Sequence, residues 1–146
     1  MLNISRYKII AIGKIKKKWV QSGIEMYLNR LPGLQIIEVK DSTRSKEEST
    51  IKEIIKNKNE ILVILNENGQ SLSSTQLAKK LLSSHNQNIT FAIGGSTGIS
   101  PTLNNSAAWK LSLSPLTFPH EIARLLLIEQ LYRAKTIAEG GPYHKE

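Results

Sequence analysis

The apolar positions of the chain change their period several times, and each change marks an element. Residues 7–12 are almost continuously apolar and stop at Gly13, as a strand covered on both faces does. Val20, Ile24, Tyr27, Leu28 and Leu31 then recur at three- and four-residue steps, which predicts a helix halted by Pro32 and Gly33. A second apolar run over 34–39 predicts a strand. Ile51, Ile54 and Ile55 mark one face of a helix whose other face, with Lys52, Glu53 and Lys56, meets solvent. Residues 61–65 are all aliphatic and run into Asn66-Glu67-Asn68-Gly69, the pattern of a buried strand ending in a polar turn. Ser73 with Gln76 three residues on forms a capping box for a helix carrying Leu77, Ala78, Leu81 and Leu82, and a fourth strand is expected over 89–93.

The last long helix begins near Pro119, and its run Leu125-Leu126-Leu127-Ile128 is too long for one helix face. One side is expected to meet the core and the other a second subunit. Strands and helices alternate with short connections, no repeat and no linker. That order predicts an α/β fold, a mainly parallel sheet with helices on both faces, and a single domain over 1–146.

Charge narrows the partners. Twenty Lys and Arg against twelve Asp and Glu give a net charge of +8, which points toward a polyanion such as nucleic acid, although the same excess also serves solubility. With no cysteine, disulfide scaffolds, thiolate nucleophiles and sulfur-ligated metals are excluded. The three histidines are far apart without an acidic cluster, so no metal is expected. No apolar stretch has the length of a membrane span or the pattern of a secretory signal. No membrane partner is therefore expected, and a cytoplasmic location is.

Four segments carry candidate chemistry. Gly94-Gly95-Ser96-Thr97-Gly98 follows a buried strand, at the strand end where open α/β sheets bind ligands. Its glycine spacing fits neither a dinucleotide fingerprint nor a phosphate-binding loop, but it satisfies the G-x-S-x-G nucleophile elbow, with Glu139 and His144 following in triad order. A serine hydrolase is thus a rival reading. Against it, Ser100 as cap and Pro101 as first helical residue start the next helix four residues beyond Ser96.

Residues 111–120 set small hydroxyls beside apolar side chains, a mixture suited to an adenosine or to an ordinary strand-to-helix connection. The tail carries Tyr143, His144 and Lys145 behind Gly140-Gly141-Pro142. These groups can stack on a base, exchange a proton and meet a phosphate, or lie frayed and idle. Lys14, Lys16, Lys17 and Lys18, beside Trp19, place positive charge at a helix start against the macrodipole, which suggests phosphate contact rather than a merely solvated turn. His85 is expected in an exposed turn.

Together these segments resemble the family of ribosomal large-subunit pseudouridine N3-methyltransferases, of the SPOUT class. The resemblance runs along essentially the whole chain. It rests on Ile10-Ala11-Ile12-Gly13-Lys14, Trp19-Val20-Gln21-Ser22-Gly23, Ile93-Gly94-Gly95 with Gly98, residues 111–120, Leu131-Tyr132-Arg133-Ala134 and Pro142-Tyr143-His144-Lys145-Glu146. It implies an α/β knot with a trefoil near the C-terminus, S-adenosylmethionine as cofactor, a homodimer, and ribosomal RNA or the assembled ribosome as substrate. By motif match Leu65, Gly94, Gly95, Leu113, Ser114, Pro115, Leu116, Thr117, Phe118 and Pro119 would contact the cofactor. Catalysis would fall to Tyr143, His144, Lys145 and Arg133, with His144 the candidate for proton transfer, and RNA binding to Lys14, Lys16, Lys17 and Lys18. Two positions depart from the pattern. Ser96-Thr97 stand where relatives often carry an acidic or aromatic residue. Lys145 stands where arginine is common, which keeps a cation and loses a bidentate fork. A pure RNA-binding module without cofactor affinity is the second rival.

Overall fold

The structure is a computed structural model that describes residues 1–55 and 59–145; Lys56 and Glu146, named above, lie outside the described residues. In chain order it runs β1 (Tyr7–Ile12), α1 (Lys18–Leu28), β2 (Gln35–Val39), α2 (Arg44–Ile54), β3 (Glu60–Ser71), α3 (Ser74–Ser83), β4 (Asn88–Ile93), α4 (Pro101–Ser106), β5 (Trp109–Ser112) and α5 (His120–Ala138). The strands form one sheet in the order β2-β1-β4-β3-β5, and every neighbouring pair is parallel.

Side-chain alternation along each strand decides which helix covers which face. Ile9 and Ala11 of β1, Val63 of β3 and Phe91 of β4 point to the face covered by α1, α3 and α5, where they meet Val20, Leu77, Leu81, Leu127 and Leu131. The intervening Ile10, Ile12, Ile64 and Ala92 point to the other face, where Ile51 of α2 and Leu103 of α4 close a smaller core. Burial of each Ile, Leu, Val or Phe side chain among them contributes about 1.5–3 kcal/mol, so both layers are needed to hold the sheet.

The helix starts follow their caps. The Ser73 hydroxyl accepts from the Gln76 amide at 3.1 Å while the Gln76 side chain accepts from the Ser73 amide at 2.8 Å, the reciprocal pair expected of a capping box. Ser100 accepts from the Leu103 amide at 3.2 Å with Pro101 in the first turn of α4.

Two boundaries differ from the sequence reading. The helix α1 stops at Leu28, ahead of Pro32, and tight turns from Tyr27 and Leu28 carry the chain on, leaving Leu31 buried outside the helix. The residue before proline disfavours helical backbone, so the helix unwinds early.

The second difference reshapes the site. Asn66-Glu67-Asn68-Gly69 does not end β3. The strand leaves its ladder after Leu65 and rejoins it at Gln70, both residues pairing with Leu111 of β5. The excursion has turn chemistry, with Asn66 Oδ1 accepting from the Asn68 amide at 2.8 Å. It closes on β5 at Gly69, where a Cβ would stand 2.7 Å from the Lys110 carbonyl oxygen.

In α5, every residue from Glu121 to Ala138 is buried or half-buried within the single chain. Leu127, Ile128, Leu131 and Ala134 face the sheet, and Leu125 packs against α1 at Gly23, where a Cβ would stand 3.3 Å from Leu125 Cδ1.

Candidate active site

Because β4, β3 and β5 are adjacent and parallel, their carboxyl ends deliver three loops to one place. These are the glycine turn after β4, the excursion in β3 and the segment after β5. They line a cleft of about 820 Å³. Leu65, Gly94, Gly95, Leu113, Ser114, Leu116, Thr117, Phe118 and Pro119 all line it, and Pro115, exposed in the same loop, does not. The structure also adds lining residues to which the sequence reading gave no part in the site, among them Arg44, Glu67 and Asn104, and it places His120, the end of the segment 111–120, at the cleft as well.

Two of the glycines are required by space. A Cβ on Gly94 would come within 3.0 Å of the backbone of Gly98 and Ile99, and one on Gly95 within 3.0 Å of Ile12 Cγ2. Of the three glycines in this turn only Gly98 takes a left-handed backbone, φ +75°, and its amide donates to the Gly95 carbonyl at 3.0 Å to close the turn. Arg44, at the start of α2, reaches across and donates to the Thr97 carbonyl at 2.5 Å. A cation at a helix start opposes the dipole, a signal that could have marked Arg44 as it marked the lysines.

The opposite wall is fastened by hydroxyls. Ser112 Oγ donates to the Glu67 carbonyl at 3.1 Å, and Thr117 Oγ1 donates to the Glu67 carboxylate at 2.5 Å. Within the loop the Leu116 amide donates to Ser114 Oγ at 3.1 Å. Ile93, Leu111, Leu113 and Phe118 supply apolar walls between these polar ties, and the cleft's size and mixture fit a nucleoside.

His120 opens α5 at the edge of the cleft, with Nδ1 buried and without a hydrogen-bond partner among the described residues. It packs on Gly13, φ +93°, where a Cβ would stand 3.3 Å from the ring. Arg124, one turn on and buried, clasps the same corner, donating to the Gly13 carbonyl at 2.9 Å and pairing with Glu38 at 2.7 Å.

The basic loop lies beside this corner. Glu121 is buried and its Oε1 accepts from the backbone amides of Lys16 and Lys17, both at 3.1 Å. Those amides, chiefly that of Lys17, hold its carboxyl below the usual glutamate range. The side chains of Lys14, Lys16, Lys17 and Lys18 are exposed, none forms an ion pair among the described residues, and Trp19 beside them is 63% exposed. Cleft and lysines therefore form one continuous corner around His120.

The tail is placed elsewhere in the same chain. Gly140, φ +73°, caps α5, and the Gly141 amide donates to the Thr136 carbonyl at 2.8 Å, a Schellman turn that sends the tail back along the helix. Tyr143 packs edge-on against Tyr132 at 4.7 Å, lies under the Arg133 guanidinium at 4.7 Å, and shares a hydrogen bond with Tyr27 at 3.1 Å. Burial first, then the bond to Tyr27, pushes its phenol up to about 12, so it stays protonated at neutral pH. His144 Nδ1 lies 3.2 Å from Arg133 Nη1, and Arg133 is also paired with Glu129 at 2.8 Å. A guanidinium only donates, so Nδ1 accepts and the ring proton sits on Nε2, which is buried without a partner. Lys145 is exposed.

About 18 Å of helix rise separates His120 at the cleft from Tyr132 beneath the tail. Within one chain, then, the structure gathers Tyr143, His144 and Arg133 with one another but not with the cleft.

The hydrolase reading fails on geometry. Helix α4 starts at Pro101, so the Ser96 hydroxyl does not sit at a helix N-terminus. Glu139 pairs with Lys135 at 3.1 Å and His144 with Arg133, so no triad forms among the described residues. His85 lies in the exposed turn expected of it.

Comparison with known proteins gives the family. The family model described as "Predicted SPOUT methyltransferase" matches residues 5–144. A Prochlorococcus marinus protein named Ribosomal RNA large subunit methyltransferase H is 78% identical over 146 residues, covering 100% of both chains. A Synechococcus protein of the same name is 51% identical over 144 residues, 99% of each. Among solved structures, a probable methylase family protein from Haemophilus influenzae superposes with a TM-score of 0.66 at 10% identity, over 99% of this chain and 72% of that one. The SpoU methyltransferase AviRb from Streptomyces viridochromogenes, solved in complex with AdoMet, gives 0.50 at 12% identity, over 92% and 58%. At those identities the structures attest the fold, whereas the family model and the full-length relatives attest descent: the chain belongs to the SPOUT methyltransferase family.

Proposed function

We propose that the chain transfers a methyl group from S-adenosylmethionine to N3 of a pseudouridine in large-subunit ribosomal RNA, acting in the cytoplasm as a homodimer of one-domain subunits. The observation that carries this reading is the meeting of the glycine turn and the segment after β5 in one nucleoside-sized cleft. The naming of full-length relatives as ribosomal RNA large subunit methyltransferases supports the substrate class.

The residues present fit the cofactor. Ile93, Leu111, Leu113 and Phe118 offer apolar faces to an adenine, backbone groups near Gly94 and Gly95 can read polar edges, and Leu65 with residues 113–119 completes the cradle. When bound, the cofactor supplies an electrophilic methyl group on a sulfonium. The knotted threading that the family resemblance implies would hold these two loops side by side, and it is part of the proposal.

The chemistry left to the protein is alignment and charge. N3 of the base carries a weakly acidic proton that must leave around the time of transfer, so an imide anion has to be stabilised and aimed. In the free chain His144 Nε2–H is buried, so the imidazole can donate to a base oxygen only once the tail shifts, and it can take a proton only when Nδ1 leaves Arg133. Arg133 and Lys145 lower the cost of the anion, and Tyr143, protonated, stacks or donates. Because this group stands a long way along α5 from the cleft of its own chain, we assign it to the cleft of a second copy. The half-buried flank of α5 and the exposed Trp19 and Met26 of α1 offer a surface for that copy. The four lysines would then grip the RNA backbone beside the cleft.

Calorimetry with S-adenosylmethionine, followed by methylation of ribosomes or an rRNA hairpin and mass-spectrometric mapping of the product, tests the reading. Heat of binding and a methyl group on pseudouridine N3 are expected. Binding of RNA without cofactor affinity would overturn it in favour of a binding module.

A further inference from the structure

Glu67 is the single carboxylate among the described residues that line the cleft. Its placement depends on the four-residue excursion of β3, which costs the strand its ladder between Leu65 and Gln70. Departures of this kind often re-aim a side chain next to an active site. Here the excursion is fixed at both ends of Glu67. The Ser112 hydroxyl donates to the main-chain carbonyl, the Thr117 hydroxyl donates to Oε2, and Gly69 is pressed against the Lys110 carbonyl. Among the described residues Oε1 takes no hydrogen bond, so part of the carboxylate remains available to a ligand.

The charge around it makes this oxygen consequential. The chain carries a net charge of +8, and the other ionisable groups lining the cleft are Arg44 and His120. Arg44 is held at the Thr97 carbonyl. Resting on the assignment of the cleft to S-adenosylmethionine, the ligand enters with a cationic sulfur and leaves, after transfer, with a neutral one. A basic protein disfavours the first of these, and a carboxylate in the cleft offsets that preference.

We propose that Glu67 is the charge-selecting residue of the cleft, favouring the sulfonium donor over its neutral product and so easing product departure. It acts as a specificity-determining residue, and no bond is made or broken at it.

The test is calorimetry with three ligands on the full-length protein and on Glu67→Gln: S-adenosylmethionine, S-adenosylhomocysteine, and sinefungin, whose amine restores a cation near the sulfur position. For the wild type, affinity for all three establishes the cleft assignment independently. For Glu67→Gln, the ratio of donor to product affinity should fall about threefold to tenfold, the range of one unit-charge contact in a solvent-open site, with sinefungin following the donor. The ratio is internally controlled, since poor folding would lower all affinities together. Glu67→Asp should retain part of the ratio. Equal weakening of donor and product, or no change in either, overturns the proposal while leaving the cleft assignment intact. Failure of the wild type to bind any of the three overturns the cleft assignment itself.

Discussion

The phenol oxygens of Tyr27 and Tyr143 lie 3.1 Å apart, joining α1 to a tail 116 residues further along the chain. With the Tyr132 ring and the Arg133 guanidinium against the same phenol, this bond fixes where the tail stands. Tyr27→Phe removes one neutral, half-buried hydrogen bond and should lower stability by about 1 kcal/mol. The methylation rate should fall several-fold with cofactor affinity unchanged, seen by comparing single-turnover rates with calorimetric Kd. Loss of cofactor affinity would place the tail in the donor site instead.

Alkali should release the same contact. Tyr143 is raised to about 12 from an ordinary value of 10, so the folded chain holds this proton where the unfolded chain has lost it. The stabilisation is full below pH 10 and disappears as pH climbs through about 12. Burial also raises Tyr7, the first residue of β1, to about 12. A phenolate absorbance titration should therefore show two late tyrosines, and Tyr143→Phe should remove one of them.

Glu121 ties the basic loop to α5, and its carboxyl is held below the glutamate range. A depressed folded value means stability present above the unfolded value and lost as pH falls through the folded one. The amides of Lys16 and Lys17 should accordingly remain protected from hydrogen exchange at pH 5. Glu121→Gln weakens the acceptor, and protection at both amides should drop at neutral pH.

Replacing Lys14, Lys16, Lys17 and Lys18 by glutamine should weaken RNA binding at every sequence tested, and flatten its salt dependence by up to about one logarithmic unit of slope per lost phosphate contact. Cofactor affinity should be unaffected. An unchanged salt slope would remove these lysines from the RNA face.

Gly94→Ala places a methyl group 3.0 Å from the Gly98 and Ile99 backbone, which cannot step aside as a side chain can. The turn must shift, so cofactor affinity should fall tenfold or more, measured by calorimetry. Gly98→Ala meets no atom within 4 Å and strains only its φ. A smaller loss is expected there.

Much of this architecture was legible in the residues. Largely apolar runs marked β1, β3 and β4 because a doubly covered strand leaves few polar positions, and Ser73 and Ser100 marked helix starts because their hydroxyls satisfy free amides. The excursion in β3 was not legible. Asn66 and Gly69 have turn chemistry, and the return of the strand depends on β5, which lies some forty residues later in the chain. Arg44 escaped notice, and His120 was read only as the end of the segment 111–120, because a single cation or imidazole acquires meaning only from its neighbours in space. The gap between cleft and tail was implicit in the length of α5, yet motif matching collects site residues without regard to distance.

The order of strands also fixes which stretch of chain completes the cleft last. The last strand made lies at the sheet edge beside β3, and the outer wall of the cradle is whatever follows it. A nascent chain interrupted after Ser112 owns all five strands and half a pocket. Both walls of the cleft are therefore present only once the segment after β5, through His120, has joined the five strands.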